Sequence, residues 1–129
     1  MGRRSTGPSS AVVDAVLERD HWSCIVCNEA IVGDRGTDWS IGHRIPRGMG
    51  GTKDPRINLS SNLLTLCGSG TTGCHGATEG PLRAMAYTEG WLLPRSADPR
   101  AVPVLIERGA RYVYLTNEAT YSDSPPEPT

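Results

Sequence analysis

The chain contains 129 residues, of which 37% are hydrophobic, and it carries a net charge of −1 without any Phe. This length fits one domain, and the 15 Gly and 10 Pro leave room for only a small apolar core, which usually needs a metal or disulfides to stay folded. The near-neutral charge argues against a broadly basic surface that coats nucleic acid, and no apolar run approaches the roughly 18 residues of a membrane-spanning helix.

The first half of the chain predicts a helix and two strands. The helix begins after Ser9 or Ser10, which can cap it, and ends near Asp20. Its apolar positions recur three and four residues apart, at Val12, Val13, Val16 and Leu17. Residues 37–43 are predicted to form a strand that ends in His43, and residues 63–66 a second strand that leads into Cys67. The segment 44–58 between them is rich in Gly and Pro and is predicted to be an irregular loop.

The second half predicts a broken helix and three short strands. Residues 74–79 favour a helix, but Pro81 should break it because its ring clashes with the carbonyl of Ala77. A second helical segment then runs from Pro81 to a stop at Gly90. Short strands are predicted at residues 91–93, 102–106 and 112–116. Residues 1–8 and 121–129 have the composition of disordered tails, so we expect one domain at residues 9–120.

Two cysteine pairs bracket the predicted strands. Cys24 and Cys27 have CxxC spacing, and six residues separate Cys67 from Cys74. Four thiolates can complete a tetrahedral shell around one structural Zn²⁺ and so cross-link segments that are distant in sequence. Disulfides are the alternative for an even number of cysteines. Because no signal peptide is recognisable, we expect a reducing, cytoplasmic compartment, which favours zinc.

The loop after His43 is locally basic. Four cations accompany a single carboxylate and give a local net charge of +3, from Arg44, Arg47, Lys53, Arg56 and Asp54. Such a run is usually a solvated charged stretch. Here the cations flank a histidine, and we therefore predict that Arg44, Arg47 and Arg56 contact phosphate groups.

Three motifs in this order carry a family resemblance: Gly42-His43-Arg44-Ile45-Pro46-Arg47-Gly48-Met49-Gly50-Gly51, then Ser61-Asn62-Leu63-Leu64-Thr65-Leu66-Cys67-Gly68, then Gly73-Cys74-His75-Gly76. In combination they resemble the HNH endonucleases, which are ββα-metal nucleases, and in particular the small HNH proteins of bacteriophages of actinobacteria. The resemblance covers roughly residues 18–116. It implies an α+β fold with a small zinc-clamped ββα-metal core, an N-terminal helix and a short C-terminal β extension.

The resemblance also implies roles for single residues. His43 corresponds to the general base that takes a proton from water, and imidazole suits this task because its pKa lies near neutrality. Asn62 corresponds to the residue that bonds the loop backbone and fixes the histidine. His75 corresponds to a ligand of one catalytic divalent cation, for which Mg²⁺, Mn²⁺ and Ni²⁺ are candidates.

The ligand set of this cation is incomplete in the sequence. Glu79 lies four residues after His75, and a continuous helix would place both side chains on one face. The break at Pro81 leaves the direction of Glu79 open. Many relatives carry a His or Asp ligand immediately before the general base, where this chain has Gly42.

The expected function is therefore metal-dependent hydrolysis of DNA phosphodiester bonds with low sequence preference, in the cytoplasm of an infected host cell. The partners that the resemblance implies are DNA and the phage DNA-packaging terminase, with no membrane. Gly42 favours a different function, that of a zinc-stabilised DNA-binding or docking module with weak or no catalysis.

Overall fold

The computed structural model describes residues 7–47 and 54–127. Over these residues the fold is mixed helix and sheet, with two small antiparallel sheets. The elements are α1 (Ser10–Arg19), β1 (Trp39–His43), β2 (Leu63–Cys67), α2 (Gly73–Thr78), α3 (Arg83–Glu89), β3 (Val104–Ile106), β4 (Arg111–Leu115) and β5 (Tyr121–Ser122). The predicted N-terminal tail up to residue 6, and the loop residues 48–53 with Lys53, lie outside the described residues. None of the helices in the described ranges has the length and apolar character needed to cross a membrane.

Helix α1 begins where the sequence predicts it. Ser9 is the N-cap, and its hydroxyl accepts a hydrogen bond of 3.3 Å from the amide of Val12. The apolar side of the helix packs on the first sheet in a cluster of Val13, Val16, Leu17, Ile41 and Leu63. The predicted helical period therefore marks the buried face of α1.

The first sheet pairs β1 with β2 in antiparallel register, with His43 opposite Leu63. Side chains along a strand alternate between the two faces. Ile41 packs against α1, whereas a Cβ added at Gly42 would lie 2.5 Å from the Leu66 side chain and 3.7 Å from the His75 ring. The face that carries Gly42 is therefore turned toward α2, and His43 lies at the end of the strand on the face that carries Ile41.

The helical region after Cys74 is broken as predicted. Helix α2 ends at Thr78 and α3 begins at Arg83, on either side of Pro81. Gly90 closes α3 in the left-handed conformation, with φ of 82°, which a residue with a side chain adopts only at a cost. The sequence therefore predicts both the break and the stop correctly.

The predicted strand at residues 91–93 is wrong. Trp91 and Leu92 both donate their amides to the carbonyl of Ala86, and Leu93 donates to the carbonyl of Arg44. These three residues are buried, and their amides are satisfied by a helix end and a loop instead of a strand partner. The apolar run therefore indicates burial and not sheet pairing, which short apolar runs do not distinguish.

The second sheet has the order β3-β4-β5 and ends beyond the predicted domain boundary at residue 120. The hydroxyl of Tyr121 in β5 donates a 2.8 Å hydrogen bond to Asp20, directly after α1. Asp20 is buried and paired with Arg19 at 2.8 Å, and Arg19 also donates to the carbonyl of Leu63. A buried charged network thus joins α1, the first sheet and the segment that was predicted to start a disordered tail.

Candidate active site and metal centre

The four cysteines lie together, as their spacing predicts. The sulfur atoms of Cys24, Cys27, Cys67 and Cys74 are all within 4.8 Å of one another, and none is in a disulfide. The sulfurs of Cys27 and Cys67 are 3.9 Å apart. A tetrahedral ion with Zn–S bonds of about 2.3 Å separates its sulfurs by about 3.8 Å, whereas a disulfide requires about 2 Å. The cluster could therefore bind a metal such as zinc.

The electrostatics of the cluster also favour a cation. Burial raises the pKa of the Cys24 thiol to about 11, and burial together with the charge on neighbouring sulfurs raises the pKa of Cys74. Thiolates collected in this way repel one another, and a bound divalent cation removes the repulsion and stabilises the ionised form. The amide of Cys74 already donates to the Cys67 sulfur at 3.4 Å. The donor set thus fits a structural metal that joins the CxxC turn to β2 and α2.

His75 lies in α2 beside the cysteine cluster and is mostly buried, with 14% of its side chain exposed. Its Nδ1 is 2.6 Å from the hydroxyl of Ser40 in β1, and its Nε2 is 3.5 Å from a carboxylate oxygen of Glu79. Burial lowers the pKa of His75, and the Glu79 carboxylate opposes this shift. The structure thus settles the direction of Glu79, which the break at Pro81 left open.

The His75 and Glu79 side chains are close enough that both could be ligands of one divalent cation. Ligands of Mg²⁺ bind at about 2.1 Å, so two ligands of one ion lie at most about 4.2 Å apart. The observed 3.5 Å between Nε2 and the carboxylate oxygen is within this limit. A Cβ added at Gly42 would lie 2.5 Å from the Leu66 side chain and 3.7 Å from Nε2, so close packing excludes a side-chain ligand there, and the remaining ligands would be water or phosphate oxygens.

His43 ends β1, and of its two ring nitrogens only Nε2 has a hydrogen-bond partner among the described residues. Its Nε2 is 3.0 Å from the side-chain oxygen of Asn58, which can only accept, so the ring donates there and Nδ1 carries the lone pair. Burial lowers the pKa of His43, the bond to Asn58 raises it, and the charges of Arg47 and His75 lower it further. A neutral imidazole with a lone pair on Nδ1 can accept a proton at pH 7.

His43 and His75 approach the same end of β1 from opposite faces of the sheet. Gly42 lies between them, because it precedes His43 in the chain and faces the His75 ring. The charge of His75 is one of the causes that lower the pKa of His43, so the two rings are within electrostatic range. The two predicted histidines are therefore close enough for the charge of one to act on the other.

Asn62 is fully buried and bonds the backbone on both sides of the loop. Its side-chain oxygen accepts from the amide of Ile45 at 2.8 Å. Its side-chain nitrogen donates to the carbonyls of Ile45, at 3.2 Å, and Ile57, at 2.9 Å. Asn62 therefore fixes the loop that follows His43.

The prediction that Arg44 contacts phosphate is wrong. The side chain has no solvent exposure, and its guanidinium donates to four carbonyls, those of Ser61, Gly90, Pro99 and Val102. Burial lowers the pKa of Arg44 to about 9, which still leaves it charged at pH 7. Arg44 is thus a structural residue that ties the loop to the segment after α3.

Arg56 is paired with a carboxylate, whereas the charge of Arg47 acts on His43. Arg56 forms a 2.8 Å ion pair with Asp54 and donates to the carbonyls of Arg95 and Ala97, so most of its donors are occupied. It positions the segment at residues 95–97, and its charge is balanced by Asp54. Arg47 is half-buried, and its charge acts on His43. Of the three arginines predicted to contact phosphate, Arg47 is the one whose charge helps to lower the pKa of His43.

Asn58 is a site residue that the sequence did not reveal. It lies four residues before Asn62 in the irregular loop, where no periodic pattern assigns a direction to a side chain. Ser40 was missed for a different reason, since a single Ser in a strand carries no signal until the facing helix is known.

Comparison with known proteins yields no family model, curated protein or solved structure that matches this chain. The resemblance to HNH endonucleases therefore depends on the sequence motifs alone. The case for a function depends on the contact of His43 with Asn58 and on that of His75 with Glu79.

Proposed function

We propose that the protein is a metal-dependent endonuclease of the HNH type that hydrolyses DNA phosphodiester bonds with low sequence preference. The observation that carries the proposal is the arrangement at the end of β1. There a neutral His43, with its lone pair on Nδ1, lies within electrostatic range of a His75 and Glu79 pair that is spaced to hold one cation.

Phosphodiester hydrolysis needs a base for the attacking water and positive charge near the leaving oxygen. His43 is suited to the first task because Nδ1 can accept the proton while Asn58 holds the ring through Nε2. His75 and Glu79 would hold a divalent cation, which supplies the positive charge when bound. Asn62 contributes no chemistry of its own and keeps the loop backbone in place.

The surrounding contacts support a preorganised site. The cysteine cluster fixes both the end of β2 and the start of α2, and α2 carries His75. Arg44 and Asn62 fix the first residues after His43. Holding catalytic groups on rigid elements in this way limits the geometry they can adopt, which is what an enzyme of this size requires.

A DNA-binding module without catalysis is the second candidate, and Gly42 is the observation that favours it. HNH endonucleases with His or Asp at this position have a further ligand, whereas here a cation would have two protein ligands. Two ligands suffice for Mg²⁺ when phosphate and water complete the shell, and this is why we favour the enzyme.

Incubation with supercoiled plasmid tests the proposal. We expect the zinc-loaded protein to convert supercoiled DNA to nicked or linear forms with Mg²⁺, Mn²⁺ or Ni²⁺, and His75→Ala to abolish this because it removes a ligand of the cation. Fluorescence binding to a short duplex separates the alternatives. Binding with an intact supercoiled band in all three ions would reject the nuclease and select the DNA-binding module.

A further inference from the structure

Ser40 connects the His75 ring to a backbone carbonyl beside the cysteine cluster. Its hydroxyl donates a 2.8 Å hydrogen bond to the carbonyl of Gly68, which directly follows Cys67. The same hydroxyl oxygen is 2.6 Å from Nδ1 of His75, which directly follows Cys74. Ser40 faces α2 from β1, so a strand, a turn and a helix meet at one oxygen atom.

The number of protons fixes the direction of these bonds. A serine hydroxyl has one proton and two lone pairs, and the proton of Ser40 lies on the bond to Gly68. Toward His75 the oxygen can then only accept, so Nδ1 must carry the ring proton. In the neutral ring, the lone pair is consequently on Nε2, the nitrogen beside Glu79 and Gly42.

The backbone around Gly68, whose carbonyl accepts the hydrogen bond from Ser40, is closely constrained. Gly68 has φ of 84°, and a Cβ added there would lie 2.1 Å from the carbonyl oxygen of Thr72. Its amide donates to the carbonyl of Asp38 at 2.8 Å, which fixes the turn against the start of β1. The Gly68 carbonyl is therefore held in position independently of Ser40.

We propose that Ser40 is a positioning residue that selects the Nδ1–H tautomer of His75 and so presents Nε2 to the catalytic cation. The use of Nε2 as a ligand rests on the proposed nuclease function, whereas the tautomer follows from the two hydrogen bonds alone. Outer contacts of this kind orient a metal-binding histidine and raise its basicity, and their loss typically weakens metal binding roughly 10- to 100-fold.

Ser40→Ala tests the proposal, with Ser40→Thr as the conservative variant because it keeps the hydroxyl and suits a strand. Long-range proton–nitrogen NMR of the histidine rings should detect Nδ1–H alone at His75 in the wild type and a mixture of tautomers in Ser40→Ala. Mn²⁺ affinity, measured by calorimetry, should fall roughly 10- to 100-fold in Ser40→Ala and recover in Ser40→Thr.

Controls separate this role from folding and from nuclease activity. Thr71→Ala removes an exposed hydroxyl from the segment between Cys67 and Cys74 and should leave the tautomer and Mn²⁺ affinity unchanged. The zinc content of Ser40→Ala should match the wild type, and the variant should keep a cooperative melting transition, at a temperature lowered by the loss of two partly buried hydrogen bonds. An unchanged Nδ1–H tautomer and unchanged Mn²⁺ affinity in Ser40→Ala would overturn the proposal. Absence of DNA cleavage in a wild type with the Nδ1–H tautomer would instead reject the nuclease function and support the role of Ser40.

Discussion

Removal of zinc from the cluster of Cys24, Cys27, Cys67 and Cys74 is expected to unfold the whole domain. Structural zinc contributes on the order of 10 kcal/mol to folding, which is comparable to the entire free energy of unfolding of a domain, about 5–15 kcal/mol. The cluster joins the CxxC turn to β2 and α2, and the remaining core is small. Metal binding and folding should therefore behave as one equilibrium.

Circular dichroism of the zinc-loaded protein with and without a strong chelator measures this effect. Chelation should remove the cooperative melting transition, and added zinc should restore it. Cys74→Ser should behave like the chelated protein, whereas Thr71→Ala, at an exposed position between Cys67 and Cys74, should melt like the wild type. An unchanged melting curve, with elemental analysis proving that zinc is gone, would contradict a structural role for the metal.

Replacement of His43 by Ala is expected to lower the rate of Mn²⁺-dependent plasmid nicking roughly 100- to 10,000-fold, the usual contribution of a general base. The ring is half-buried at the end of β1 and contacts Asn58, so the fold should persist without it. His21→Ala is the matched control, since His21 is exposed and lies outside the site. Equal nicking rates for wild type and His43→Ala, at equal melting temperatures, would remove His43 from the reaction.

The pH dependence follows from the same residue. A general base works when neutral, and burial lowers the pKa of His43 below its ordinary value of 6.5. The acid limb of the nicking rate should therefore have its midpoint below pH 6.5. Asn58→Ala removes a bond that raises this pKa, so the limb should move to still lower pH while the rate at pH 8 falls through loss of ring orientation. A wild-type midpoint above 6.5 would contradict this assignment.

Features with local signals could be predicted from the sequence. The cap at Ser9 or Ser10, the break at Pro81 and the stop at Gly90 each depend on the conformational preference of one residue, and the structure confirms all three, with Ser9 as the cap. The cysteine cluster could be predicted for a similar reason, because paired spacing of metal ligands is a local pattern.

Features that depend on distant contacts could not be predicted. The sequence predicts Arg44 to be a cation in a loop, but in the structure its guanidinium donates to carbonyls up to 58 residues away. Tyr121 lies in a segment with the composition of a tail, and its order depends on β4 and on Asp20, 101 residues away. Charge and composition describe a residue without saying which distant groups will surround it.

The direction of the Glu79 side chain could be predicted only in part. The sequence supplies its spacing from His75, but the nearby break made its direction uncertain. In the structure Glu79 is the C-cap of α2 and keeps helical backbone angles, with φ of −95° and ψ of −2°, so the spacing still places its carboxylate near His75. The backbone angles of Glu79 at the C-cap thus decide whether its carboxylate lies beside the His75 ring.

A crystal of the zinc-loaded protein soaked in Mn²⁺ gives the most direct measurement of the proposed site. Anomalous scattering should place manganese, apart from the zinc, in contact with Nε2 of His75 and the carboxylate of Glu79, with the His43 ring bordering the same solvent-filled space. Manganese bound elsewhere, or a His43 ring separated from the ion by protein with no shared space, would contradict the hydrolytic function.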